Sequence, residues 1–394
     1  MKRIDYSMSK SAEEYAAEAC GAIMKKYPAE ELPTMDTFFY IGGVFLSGMQ
    51  QLYLCTGEEK YFDYIKTWVD RYVYPDGTVL GHNRPYDTDS PTWMMRAVPK
   101  TFDHKQPAIL LFDIWRKTGD ERYKKAIYNI VTPVKAWPKN SAGGFYHMTF
   151  TKNQMWLDSI YMIGPLLAKY SNAFGEKWAA ESAVEQIEIM YRYMQDENGL
   201  LRHGFDPSKE SEWSDPETGL SPTVWGRAMG WFTVAALDIL DEIMQDSKEA
   251  KRLAEIEREI MTRILKYRTE NSLWCQVIDC PQRGGNFEEM SCSCLFIYSL
   301  YKGIRKGVLD RSWIRYADES YSAVIKKLRY DGEGNLVIGG ICAGTCIDDG
   351  SYEHYIGRPL VENDLHGTGA FVLMCAERLR YDREFRTEGQ AAYL

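Results

Sequence analysis

A phrase returns at long, regular intervals along this chain, and the repetition limits the available folds more than any other feature. Thr56-Gly57-Glu58-Glu59-Lys60-Tyr61 reappears 62 residues later as Thr118-Gly119-Asp120-Glu121-Arg122-Tyr123. A looser echo, Phe174-Gly175-Glu176-Lys177-Trp178, follows 56 residues further on. Fainter ones stand at Asp246-Ser247-Lys248-Glu249 and Leu309-Asp310-Arg311-Ser312-Trp313. The glycine suits a left-handed helix C-cap, and the acids favour the N-terminus of the next helix. A second phrase runs out of phase with the first: a turn, a short strand-like piece and a loop. It occupies Asp76–His82, Gly143–His147, Asn198–His203, Asn271–Trp274 and Gly334–Gly339. A mostly apolar helix is expected after it, at about Asp103–Lys117, Asn153–Asn172, Pro222–Met244, Glu288–Gly303 and Asp364–Arg378. Ahead of these, helical spacing runs from Ser11 to Lys26 and from Asp36, a plausible cap, to Cys55.

The unit is therefore apolar helix, glycine turn, charged helix, short hairpin, loop, repeated about six times with roughly twelve helices. Apolar helices must be buried on most sides, and charged amphipathic ones belong outside. Six inner and six outer antiparallel helices closing on themselves make an all-α (α/α)6 barrel, with an open helical solenoid as the alternative. In the closed form the inner helices run parallel, so their N-termini and the loops before them meet at one mouth. No Pro/Gly/Ser linker interrupts the pattern, and one domain over residues 1–394 is expected.

The charge balance narrows the partners. A net charge of −9 without a basic run argues against nucleic acid or an anionic membrane. No stretch of signal-peptide type opens the chain, and no apolar run approaches ~18 residues, so a cytoplasmic protein without a membrane partner is expected. Cys20, Cys55 and Cys375 lie in apolar helical patterns as small hydrophobes, and the remaining cysteines lack metal-ligand spacing. No metal or organic cofactor is expected. A core can absorb many of the 11 Trp, 27 Tyr and 15 Phe, and a surplus of Trp and Tyr with polar neighbours in loops also suits sugar rings, whose C–H faces stack on aromatic faces.

Chemistry concentrates at the expected mouth. His82, His147 and His203 are distant in sequence but occupy one repeat slot. Asp103-His104 opens an inner helix. Asp158 lies in Met155-Trp156-Leu157-Asp158-Ser159-Ile160-Tyr161-Met162, where apolar neighbours favour a raised pKa. Trp225, Arg227 and Trp231 share another inner helix; an exposed Arg227 would grip a carboxylate with both arms while the indoles stack. Glu362-Asn363-Asp364-Leu365-His366-Gly367 starts the last inner helix. An acidic oligosaccharide fits such a pocket. Asp158 is expected to be the protonated carboxyl and Asp103, at a helix N-terminus, the ionised one.

At these residues the chain resembles the unsaturated rhamnogalacturonyl hydrolases, glycoside hydrolase family 105, kin to the unsaturated glucuronyl hydrolases. The most specific matches are Asp103-His104, Gln154-Met155-Trp156-Leu157-Asp158 with Tyr161-Met162, Arg202-His203, Trp225-Gly226-Arg227-Ala228-Met229-Gly230-Trp231 and Trp274-Cys275-Gln276-Val277-Ile278-Asp279. The resemblance implies removal of a 4,5-unsaturated galacturonyl residue from a rhamnogalacturonan oligosaccharide made by a lyase. It implies Asp158 as general acid/base toward the vinyl ether, Asp103 as a partner that contacts substrate and orients water, and His203 and Arg227 as uronate ligands. Trp225 and Trp231 are implied as walls, with His147 and His104 at the same site. Two departures stand out: Met148, where the family often has a basic residue, and Ser291-Cys292-Ser293-Cys294, where it often has Ser-Gly-Ser-Ala. Both bear on the leaving sugar. A glucuronyl hydrolase of glycosaminoglycan fragments and a non-catalytic glycan-binding toroid are the alternatives. The chain is expected to act as a monomer or small homo-oligomer.

Overall fold

The computed structural model describes residues 10–386. Helices alternate outside and inside the ring. Outer α1 (Ala12–Lys26) precedes inner α2 (Tyr40–Thr56), outer α3 (Glu59–Asp70), the short α4 (Trp93–Ala97), inner α5 (Leu111–Thr118) and outer α6 (Glu121–Val131). Inner α7 (Ser159–Phe174), outer α8 (Lys177–Tyr193), inner α9 (Gly226–Leu240) and outer α10 (Lys248–Leu265) follow. Inner α11 (Met290–Arg305), outer α12 (Ile314–Lys326), the short α13 (Tyr352–Ile356) and inner α14 (Leu365–Phe385) complete the order. α14 packs along α2, so the last inner helix meets the first and the ring closes. The (α/α)6 toroid holds, and the open solenoid does not.

Burial separates the two layers as the periodicity demands. In α9 every residue except Asp238 is buried. In α10 burial falls on Ala250, Leu253, Ile256, Glu257, Ile260, Met261 and Ile264, one stripe at helical spacing. The repeated glycine does the work expected of it. Gly57, Gly119 and Gly175 end α2, α5 and α7 with φ of 74°, 67° and 72°, each donating its N–H to a carbonyl four residues back. The strand-like pieces are very short. Isolated bridges join Val73 to Val79, Lys139 to Phe145 and Gln195 to Leu201. Three two-residue antiparallel pairs join Met155–Trp156 to Gly204–Phe205, Arg329–Tyr330 to Leu336–Val337, and Ile341–Cys342 to Leu360–Val361.

The inner helices start later than their apolar patterns suggest. Asp36 is no cap: its φ is 52°, and α2 begins at Tyr40. Asp103–Lys117 divides into 3-10 turns over Phe102–His104 and Gln106–Leu110 before α5, with Pro107 near the start of the second turn. Pro107 has no N–H to give a regular helix. Met155–Trp156 is extended rather than helical, which leaves Asp158 at the N-cap of α7. Among the described residues, no helix is long and apolar enough to cross a membrane.

Candidate active site

The mouth is assembled at the N-terminal ends of the inner helices. Pairing of Met155–Trp156 with Gly204–Phe205 ties the loop before α7 to the loop before α9, and Leu157 N–H donates to the His203 carbonyl at 2.8 Å. This backbone link brings Asp158 and His203 together. His203 Nε2 stands 3.3 Å from Asp158 Oδ1, and its Nδ1 stands 2.6 Å from the Tyr355 hydroxyl. Burial holds the Tyr355 phenol well above its ordinary pKa, so its O–H donates to Nδ1 and the ring N–H on Nε2 points at the carboxylate. On the other side, His147 Nδ1 is bonded to Ser159 at 2.5 Å, and its Nε2 lies 4.0 Å from Asp103 Oδ2. Trp156 stacks on His147 with centroids 4.1 Å apart and planes 7° from parallel. It meets His203 edge-on at 5.7 Å. Trp225 packs against His203 at 4.7 Å and donates its indole N–H to Gln276 at 3.1 Å.

The two carboxyls have the opposite protonation from that expected. Burial raises Asp103 to about 8, and the Asp158 charge adds to the rise. Burial also pushes Asp158 upward, but the hydrogen bond and charge of His203, with help from His147, bring it below the ordinary aspartate value. The sequence neighbours of Asp158 suggested an apolar surround; its spatial neighbours are ring N–H groups. Asp103 sits in a three-residue 3-10 turn, too short to supply much helix field, and its carboxyl has no hydrogen-bond partner among the described residues. The free site thus holds one proton on Asp103 and a charge on Asp158. Burial also keeps His147 neutral, at about 4.

Other candidates sit differently from expectation. Arg227 is buried, 1% exposed, rather than open. It donates to the carbonyls of Cys342 and Ala343, and its guanidinium lies 4.7 Å from the Trp225 ring. Trp231 lies deeper, stacked on Tyr161 at 4.2 Å. Tyr161 borders a cavity of about 400 Å³ whose lining includes Asp238, Lys302 and Arg380. Trp231 is packing in the barrel axis, because five residues of helix carry it about 7.5 Å past the mouth. His104 is fully buried, with Nδ1 2.7 Å from Thr101 and no partner on Nε2 among the described residues. His82 lies against the Asp103–His104 turn, its Nε2–H donating to the His104 carbonyl at 2.9 Å. Met148 is half-buried against an apolar group of Trp156, Trp213 and Ile347. Cys292 and Cys294 are wholly buried in α11. A Cβ on Gly226 would lie 3.0 Å from Cys292 Sγ, so this departure shapes helix packing rather than a sugar-facing wall.

Tyr355 and Tyr40 escaped sequence reasoning, and Ser159 and Gln276 lie in stretches the sequence singles out but had no role of their own there. Tyr355 belongs to a five-residue helix with no repeat counterpart, and the others lack any charge or spacing signal. Among the described residues, no group of three or more His, Cys, Asp or Glu is placed to hold a metal ion.

Known proteins resemble this chain over most of its length. A family model described as Glycosyl Hydrolase Family 88 matches residues 15–382. Protein Atu3128 of Agrobacterium fabrum is 31% identical over 227 residues, covering 55% of this chain and 97% of the relative. The unsaturated rhamnogalacturonyl hydrolase YesR of Bacillus subtilis is 22% identical over 323 residues, covering 78% and 79%. A solved glycoside hydrolase from family 105 of C. acetobutylicum ATCC 824 superposes with a TM-score of 0.83 at 31% identity, covering 94% of this chain and 99% of that one.

Proposed function

The chain belongs to glycosyl hydrolase family 88 and is a glycoside hydrolase, and from that premise we propose that it releases the non-reducing-end 4,5-unsaturated galacturonyl residue of rhamnogalacturonan oligosaccharides. The observation that carries the reading is the pair Asp103 and Asp158 at one mouth, held in opposite protonation states by burial and by His203. In this proposal Asp158 is the general acid/base. The uronate carboxylate brings a second negative charge and displaces water, and both effects raise Asp158 until it takes a proton. That proton goes to C4 of the vinyl ether, and water adds at C5 while returning a proton to Asp158. The hemiketal then collapses to a keto uronate and the free sugar.

The surrounding groups suit this course. His203, steered by Tyr355, fixes the Asp158 carboxyl. Asp103 keeps its proton near neutral pH and donates it as a hydrogen bond to substrate or water. Arg227 contributes positive potential toward the uronate from behind Trp225. Trp156, 8% exposed, is the aromatic group placed to meet the ring, whereas Trp225 is 2% exposed and packs on His203. Met148, half-buried and uncharged, favours a leaving sugar without charge, as rhamnose is. All nine cysteines are free, which supports a reducing, cytoplasmic setting.

The test is loss of the ultraviolet absorbance of the conjugated double bond. Lyase-treated rhamnogalacturonan is expected to lose it far faster than unsaturated chondroitin disaccharides. Faster loss from the chondroitin disaccharides would overturn the substrate assignment.

A further inference from the structure

The group at the start of α14 has no part in the chemistry described so far, yet it reaches the same mouth. Asp364 caps α14 by accepting the His366 main-chain N–H at 3.0 Å. The same carboxylate oxygen stands 2.5 Å from His366 Nδ1. His366 Nε2 stands 2.7 Å from the hydroxyl of Tyr40, the first residue of α2. The histidine is 2% exposed, whereas Tyr40 is half-buried. Its hydroxyl is close enough to feel Asp103, Arg227 and Asp158.

The hydrogen bonds leave one consistent assignment of protons. A carboxylate can only accept, so Nδ1 of His366 carries the ring proton. Burial lowers the His366 pKa despite the aspartate, so the ring is neutral and Nε2 is bare. A bare Nε2 accepts from the Tyr40 O–H. Burial, followed by the nearby Asp103, holds that phenol well above its ordinary pKa. The Tyr40 proton is therefore committed to His366, and its oxygen has only lone pairs left to offer the neighbouring Asp103 and Asp158 site.

We propose that Tyr40 is a catalytic residue that accepts a hydrogen bond from the water adding to the double bond, and that His366 and Asp364 are positioning residues that enforce this polarity. The inference rests on the vinyl-ether hydration proposed above. Asp158 gives its proton to C4 and the C4–C5 π pair forms that C–H bond. The water oxygen then bonds C5. One water proton returns to Asp158; the other stays on the new hydroxyl, directed at Tyr40. A water so held has both O–H bonds engaged and its lone pairs turned toward C5, one of which forms the new C–O bond, an orientation effect of the kind enzymes gain from fixed acceptors.

Asp364→Asn and Tyr40→Phe test the relay. Asn caps helices as well as Asp, so the Asp364→Asn fold is expected to melt with wild type. Its amide no longer demands the proton on Nδ1. His366 can then place the proton on Nε2 and turn the Tyr40 O–H outward as a donor. On lyase-generated rhamnogalacturonan oligosaccharides, each variant is expected to lose roughly tenfold or more in kcat with KM within about twofold of wild type. The double variant should lose no more than the worse single one, because both break the same relay. Near-wild-type kcat in Asp364→Asn, or single losses that multiply in the double variant, overturn the proposal. If wild type consumes none of these substrates, the hydration reading itself fails. The relay is then judged from the imidazole nitrogen resonances of His366: a proton on Nδ1 that moves in Asp364→Asn supports it, and a wild-type proton on Nε2 overturns it.

Discussion

At the scale of single residues, two aspartates of one type acquire opposite characters from their surroundings. Asp158 has two histidines to favour its charge, and Asp103 has only burial and a neighbouring charge. Asp158→Asn keeps the shape of the side chain and removes the proton carrier. Turnover of unsaturated oligosaccharide is expected to fall by about 10²–10⁴-fold, with binding retained in a calorimetric titration. Asp103 gives a linkage prediction. Its folded pKa of about 8 lies above the unfolded value, so the folded state binds more protons between the two and stability falls as pH rises through that window. Asp103→Asn should melt with wild type only below about pH 4, gain steadily through that window, and hold a full advantage of several degrees above pH 8. The presence of both aspartates at the mouth was legible in the sequence from the repeat slots. Their protonation was not, because His203 lies 45 residues from Asp158 along the chain and meets it only across the loop pairing.

At the scale of elements, the outer helix α10 carries an anomaly. Glu257 falls on its apolar stripe, is wholly buried, and has no partner for either carboxyl oxygen among the described residues. Burial pushes its pKa well above the ordinary glutamate value. The unfolded chain releases this proton at a lower pH, so Glu257 costs stability increasingly as pH rises above that ordinary value. Glu257→Gln should match wild type where both states are protonated and gain a widening advantage toward neutral pH, read as a melting temperature. The repeated glycine words show how far local chemistry reaches. Gly119 ends α5 at φ 67°, and a Cβ there would meet nothing within 4 Å. Gly119→Ala is therefore expected to cost only the left-handed penalty, about 1 kcal/mol in a denaturant melt. The caps were legible because a left-handed turn needs its glycine whatever surrounds it. The starts of α2, α5 and α7 were misread because apolar residues continue into extended and 3-10 segments that are buried too.

At the scale of the whole molecule, ring closure and the site depend on one seam. α14 lies so close to α2 that a Cβ on Gly369 would stand 2.8 Å from the Val44 backbone. A Cβ on Gly48 would meet the Gly369 carbonyl at the same distance. Gly369→Ala must push the two helices apart, at a cost of about 1–3 kcal/mol in unfolding free energy. Tyr40 and His366 face each other across that seam. Activity in Gly369→Ala should fall by more than the loss of folded protein accounts for, checked by activity per folded molecule.

The sequence by itself determined the repeat, the inner and outer layers, and the slots that bring chemistry to one mouth. These follow from periodicity and from turn chemistry, which act locally. Only the tertiary structure decided which histidine serves which carboxyl, that Arg227 is turned into two main-chain carbonyls, and that Trp231 belongs to the barrel axis. Those outcomes depend on distances between segments far apart in the chain. The pKa of a buried group is set by whatever those distances place beside it.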